Sequence, residues 1–350
     1  MRVIIDSSAQ LAGTTGVARY AHELTRALPS AGADVVRVAI GRAIAPVPPG
    51  VRHVPVPLRV ARAWWSVVSW PPIERLAGRA DLVHVLDMAP PPTRLPLVMT
   101  IHDLVALERP DLHHPRTVAQ QYDQLAAAHR AAGVIADSQA TADALIARGI
   151  PARRITVAPL GLTEHRATGP PEPDGATVLA VGGLERRKGF DVLLRALARP
   201  ELVDARAVVV GPDHGQAAEL RALAAELRIP DRVHFPGRVD DAALWRLYRD
   251  ATVLCAPSHA EGFGLPILEA MGAGLPVVAT DLPVFRELTD GAAVLVPVDD
   301  PAALATAIER LLVDPVARAD AARAGHERAA GFTWAATAAA TVAAYERVLD

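Results

Sequence analysis

Residues 257–280 read PSHAEGFGLPILEAMGAGLPVVAT, and the apolar run Thr252–Ala256 comes just before them. That run has the length of a short strand. The loop Pro257–Gly262 then feeds Phe263–Gly272, where Leu265, Leu268, Glu269, Ala270 and Met271 suit a short helix. Gly274-Leu-Pro marks a turn, and Val277–Ala279 is the next strand. Such a strand–loop–helix–strand unit sets its loop at the carboxyl end of the first strand, the edge where open α/β sheets bind ligands. Glu261 in the loop and Glu269 in the helix lie eight residues apart, and neither position needs a charge for packing.

The same alternation runs through the chain on both sides of this unit. Strand Arg2–Asp6, helix Val17–Leu28, strands Val35–Ile40, His53–Val56, Asp81–Leu86, Leu97–Ile101, Gly133–Asp137 and Ile155–Ala158 form a first series. Helices Gln120–Ala132 and Gln139–Arg148 lie between its later strands. Arg166–Gly175, rich in proline, glycine and acids, reads as a linker. A second series follows: strand Ala176–Val181, helix Phe190–Leu197, strand Ala207–Val210, helix Gln216–Leu227, strand Val233–Phe235, and the unit described above. Helices Ala302–Leu312, Arg318–Ala329 and Trp334–Leu349 close the chain. The order predicts an α/β protein with two doubly wound, Rossmann-like domains facing each other across a cleft, 1–168 and 169–332, with 333–350 as a terminal helix.

Composition narrows the function. With 350 residues, 51% of them hydrophobic, the chain can bury two cores and is not a disordered one. Formal net charge is -3, which leaves no broad cationic footprint for nucleic acid. Charge is uneven: residues 1–165 carry 17 basic and 13 acidic side chains, so the first half is the better candidate for an anionic partner. The single cysteine, Cys255, excludes a disulfide within the chain and reads as a buried core residue. Asp6 follows the start too closely for a signal peptide and no apolar run approaches membrane-spanning length, so a cytoplasmic enzyme is expected. Trp64, Trp65 and Trp70 concentrate aromatic surface in one stretch, which reads as ordinary helix packing, an acceptor platform or a peripheral membrane contact.

Several groups point to phosphate and sugar chemistry. Gly182-Gly-Leu-Glu-Arg-Arg-Lys-Gly189 follows a strand and opens a helix, so Arg187 and Lys188 can meet a diphosphate or else form a solvated basic turn. Lys188 is the only lysine among 36 basic residues, a hint that an ammonium is needed there. Gly13 and Gly16 bracket a turn after the first strand, suited either to close approach of a ligand or to tight packing alone. Phe263, Gly264 and Leu265 supply the N–H groups of a helix start. Glu269 can accept hydrogen bonds from two ribose hydroxyls, and Glu261 from a hexose. His102 ends a strand, a position that favours a site role over a core role. A hydrolytic acid/base pair is disfavoured, because carboxylates flanking a glycosidic bond stand about 5–9.5 Å apart and the E-x7-E spacing does not set that distance. The sequence holds no D-x-D and no cysteine/histidine cluster, so no metal ligands are expected.

EGFGLPILEAMGAGLPVVAT resembles the signature of retaining glycosyltransferase family 4, the glycosyl transferases group 1, which have the two-domain GT-B fold. Gly13–Tyr20, Thr100–Asp103, Gly182–Phe190 and Asp281–Glu287 match the family in the same order, so the similarity covers nearly the whole chain. The resemblance implies a nucleotide-sugar donor held by the second domain, with Glu269 on the ribose, Glu261 and the backbone of Phe263–Leu265 on the sugar, and Arg187 and Lys188 on the diphosphate. It places His102 and the Gly13–Gly16 loop on the acceptor-side domain, and takes the last helix back to the first domain. Gly183 departs from the pattern, since many members carry arginine there. The implied reaction is metal-independent transfer of a hexose to an acceptor hydroxyl, with His102, Glu261, Arg187 and Lys188 as catalytic groups and no cofactor beyond the donor. The LERRKG form resembles members that use GDP-mannose, with UDP- and dTDP-sugars as competitors; the acceptor is a saccharide, glycolipid or natural product. A sugar phosphorylase on the same fold and a non-catalytic nucleotide-sugar-binding module are the alternatives.

Overall fold

A computed structural model describes residues 1–12, 16–44, 46–68, 70–86, 90–163 and 175–350. The chain divides into two compact units: Met1–Pro110 with His114–Gly161 and Phe332–Asp350, and Leu162–Gly331 with Asp111–His113. The boundary expected at 168/169 lies outside the described residues.

The first unit is built on strands β1 (Arg2–Asp6), β2 (Asp34–Ile40), β3 (Val51–Val54), β4 (Leu82–Val85), β5 (Leu97–Ile101), β6 (Gly133–Ala136) and β7 (Ile155–Val157). Among the described residues they form one sheet in the order 3-2-1-4-5-6-7, every pair parallel. Helices cover both faces, which is why β1 and β4 are almost continuously buried. His84 is the polar residue of β4. Its ring bridges Tyr345 Oη at 2.6 Å and Thr100 Oγ1 at 2.8 Å, and burial, aided by the nearby charge of His102, holds its pKa down at about 3. Tyr345 belongs to the last helix, Trp334–Leu349, which also donates from Thr337 Oγ1 to the Pro159 carbonyl at 2.6 Å. That helix is therefore part of the first unit's core.

The second unit holds β8 (Thr177–Val181), β9 (Arg206–Val210), β10 (Val233–Gly237), β11 (Val253–Ala256), β12 (Val277–Thr280) and β13 (Val294–Val296) in the parallel order 10-9-8-11-12-13. Its core gathers Val178, Leu193, Val209, Val253, Cys255 and Ile308 among others. The strand order reverses between β8 and β11. Loops leaving the carboxyl ends of those two strands are therefore neighbours, at the topological switch point where doubly wound sheets bind ligands. The sequence pattern did not single out β13 or the helix Pro283–Thr289 before it, since both are short.

Candidate functional site

The β8 loop, residues 182–189, and the β11 loop, residues 257–264, are tied together at the switch point. His259 N donates to the Arg187 carbonyl at 2.8 Å. Gly189 has φ +62°, and any Cβ there would collide with the Pro257 carbonyl oxygen. Only glycine permits both the left-handed turn and this close approach.

The contact brings Arg187, Lys188 and Glu261 into one ionic cluster. Lys188 Nζ donates to Glu261 Oε2 at 2.5 Å, and Arg187 Nη1 donates to Glu261 Oε1 at 3.0 Å. Arg187 Nη2 also meets Glu185 Oε1 at 2.8 Å. The Lys188 and Glu261 side chains are only 10% and 13% exposed. Burial pushes the Glu261 carboxyl up, but the charges and hydrogen bonds of Lys188 and Arg187 outweigh it and hold the pKa at about 2. Burial draws Lys188 down, while the Glu261 carboxylate works to keep it protonated. Arg187 and Lys188, expected on a diphosphate, and Glu261, expected on a sugar, thus contact one another directly.

Glu269 lies in the helix Leu265–Gly272, which follows the β11 loop. It is 5% exposed, and Tyr248 Oη donates to its Oε2 at 2.8 Å. Tyr248, itself buried, comes from the helix Asp241–Asp250. The helix start is set by Gly264, with φ +103°, whose absent side chain leaves room for Phe285. Phe263 is buried, and Pro266 lowers the number of N–H groups the helix start presents. Gly183 lies against His214: a Cβ there would stand 2.8 Å from its Nδ1.

His102 belongs to the first unit, one residue past β5. Its Nδ1 meets Asp137 Oδ2 at 2.6 Å, and Tyr20 packs edge-on to its ring with centroids 4.9 Å apart. Asp137 is 2% exposed; burial pushes its carboxyl up while the His102 charge and hydrogen bond pull it down. No spacing rule marks Asp137 as a partner of His102, because the two are 35 residues apart. Gly16 is exposed at the start of the helix Gly16–Ala27, and Gly13 lies outside the described residues. Trp64 and Trp70 are exposed, and Trp65 packs on the first unit's core.

The model of glycosyl transferases group 1 matches residues 163–328, and that of glycosyltransferase family 4 matches residues 14–166. The chain belongs to glycosyltransferase family 4. Among family 4 relatives, it is 42% identical over 183 residues to the phosphatidyl-myo-inositol mannosyltransferase of Mycolicibacterium smegmatis, a match covering 50% of this chain and 46% of that one. It is 35% identical over 285 residues to the D-inositol 3-phosphate glycosyltransferase of Acidothermus cellulolyticus, covering 73% of this chain and 62% of that one. The chain spans about half the length of the curated relatives it matches. Its fold is that of the sucrose-phosphate synthase of Thermosynechococcus elongatus, with a TM-score of 0.76 at 23% identity over 99% of this chain and 98% of that one. Two parallel-sheet α/β units of this kind constitute the GT-B fold. Among the described residues, no helix is long and apolar enough to cross a membrane.

Proposed function

We propose that the protein transfers a hexose from a nucleoside-diphosphate sugar to an acceptor hydroxyl, with retained anomeric configuration and without a metal. The observation that carries this reading is the cluster of Arg187, Lys188 and Glu261 at the switch point, with buried Glu269 in the helix that follows. Arg187 and Lys188 match the charge of a diphosphate. Glu269, fixed by Tyr248, suits the vicinal hydroxyls of a ribose. Glu261 and the backbone of Phe263–Leu265 are assigned to the donor sugar. Charge developing on the leaving diphosphate is met by the two cations, which is the work a Lewis acid would otherwise do.

Retention rests on the resemblance to the retaining family, and no residue is nominated as a covalent nucleophile. The acceptor attacks on the face the diphosphate leaves, and the leaving phosphate takes its proton. His102 is a positioning or electrostatic group for transfer, and its loss should damage transfer more than nucleotide binding. Mannose is supported by the LERRKG form and by the name of the mycobacterial relative. Inositol phosphates, free or as lipid head groups, are the first acceptors to test, because both relatives are named for them. A cytoplasmic site of action goes with the nucleotide-sugar donor.

Thermal stabilisation by GDP, UDP, dTDP and ADP, with and without magnesium, tests the donor site. One diphosphate should stabilise the protein equally with and without the metal, and Glu269→Ala should abolish the effect. The matching sugar nucleotides are then assayed with inositol phosphates, and the anomeric configuration of the product is read by NMR. No stabilisation by any nucleotide overturns the donor site. A requirement for magnesium overturns the metal-free scheme, and an inverted product overturns retention. Turnover that requires orthophosphate would make the protein a phosphorylase.

A further inference from the structure

We propose that Asp137 is a positioning residue for His102: it holds the imidazole as the Nδ1–H tautomer, so that Nε2 is the hydrogen-bond acceptor the ring offers to a substrate hydroxyl. The transfer step in this inference rests on the function proposed above; the tautomer does not. Parallel pairing of β5 with β6 sets Ile101 opposite Ala136, so the next residues, His102 and Asp137, stand side by side at the carboxyl ends of the two strands. Their side chains meet at 2.6 Å. An ionised carboxylate can only accept, so the imidazole donates from Nδ1 and its second nitrogen keeps the lone pair.

Burial on balance raises the Asp137 carboxyl above its ordinary value, and the charge and hydrogen bond of His102 work against that rise. Asp137 comes just before Ser138, whose side chain caps the helix Gln139–Ala147 by accepting from Thr141 N. A carboxylate at this end of a helix is stabilised by the N-terminal partial charge. From the same helix start, Thr141 Oγ1 donates to the His102 carbonyl at 3.4 Å, so backbone and ring are held by one element. The ring's other boundary is Tyr20, whose hydroxyl is 3.0 Å from Thr100 Oγ1, which in turn meets His84. The other nearby acid, Asp103, is engaged by Val105 N and Gln121 Nε2, both at 3.0 Å.

The test is a long-range 15N–1H correlation spectrum of the full chain at pH 7.5, with the His102 signals assigned by their loss in His102→Gln. The wild-type chain should show the Nδ1–H tautomer, and Asp137→Asn, whose amide can face either nitrogen, should lose that bias. A wild-type His102 in the Nε2–H form, or doubly protonated, overturns the proposal without any variant having to fold. So does a tautomer unchanged in Asp137→Asn. With a donor identified, Asp137→Asn should lower kcat by about 10-fold or more, the least loss seen when the carboxylate partner of a metal-ligating histidine is removed. Donor KM should stay near the wild-type value, and the same substitution in a His102→Ala background should add little. An equal cost in both backgrounds overturns the positioning role. If wild type turns over no donor, the transferase reading fails and the spectrum still decides the role of Asp137.

Discussion

Replacing Glu261 with glutamine keeps the shape of the side chain and removes its charge, leaving Lys188 and Arg187 together without their shared carboxylate. The cost follows from the pKa. A carboxyl held at about 2 instead of its ordinary 4.5 is stabilised as the anion by about 3 kcal/mol in the folded protein. The figure agrees with the range of about 3–5 kcal/mol for breaking a buried ion pair from one side. Because the folded pKa lies below the unfolded one, this contribution is complete above about pH 4.5 and is lost as pH falls towards 2. Glu261→Gln should therefore be about 3 kcal/mol less stable than wild type at pH 7 in urea titrations followed by circular dichroism. At pH 3.5 the gap should have closed by about 1.4 kcal/mol. A variant as stable as wild type at pH 7, or a gap that does not close on acidification, would refute the account of the cluster as a desolvated ion pair.

On the proposed assignment to the ribose, Glu269→Ala removes two charge-assisted hydrogen bonds, and it leaves the Tyr248 hydroxyl buried without its carboxylate; the affinity for the stabilising nucleotide should fall about 10- to 100-fold by calorimetric titration. Gly189→Ala should cost about 1–3 kcal/mol and weaken nucleotide binding, because the new Cβ drives the β8 and β11 loops apart; a thermal melt with and without nucleotide reads both effects. Tyr345→Phe leaves His84 Nδ1 buried without its partner and should lower stability by about 1–3 kcal/mol in a urea titration. His102→Ala should slow transfer while leaving nucleotide-induced stabilisation intact, and normal transfer by this variant would remove His102 from the mechanism.

The parts legible in the sequence are those that local rules write. Glycines and prolines around EGFGLP mark a loop between a buried strand and a helix, and the apolar runs at β8, β11 and β12 have the continuous character of strands covered on both faces. Short elements carry too few residues for a period to show, which hid β13. Trp64, Trp65 and Trp70 share one stretch, yet only Trp65 reaches the core, since helix periodicity alone does not say how much of a helix its neighbours cover. Partners supplied by strand order are hidden for a deeper reason. Tyr248 reaches Glu269 and Asp137 reaches His102 through tertiary placement, across gaps of 21 and 35 residues that no spacing rule spans.

The cluster at the switch point shows what that omission costs a residue-by-residue reading. Arg187 and Lys188 leave β8, Glu261 leaves β11, and 73 residues separate Lys188 from Glu261 in the chain. Read along the sequence, they divide into a phosphate clamp and a sugar contact. In the sheet, β8 and β11 are adjacent, and the carboxylate takes both cations as its own partners. Any diphosphate that recruits Arg187 and Lys188 must compete with Glu261 or share them with it. Single substitutions at the three positions therefore cannot be added. On the proposed assignments, losing Glu261 frees two cations as well as removing a sugar contact, and losing Lys188 leaves a buried carboxylate as well as weakening a phosphate contact. The physically meaningful quantity is the coupling energy of a Lys188–Glu261 double-mutant cycle, measured once on stability and once on nucleotide affinity. A coupling present in stability but smaller in affinity means that the diphosphate has taken over the cations from the carboxylate.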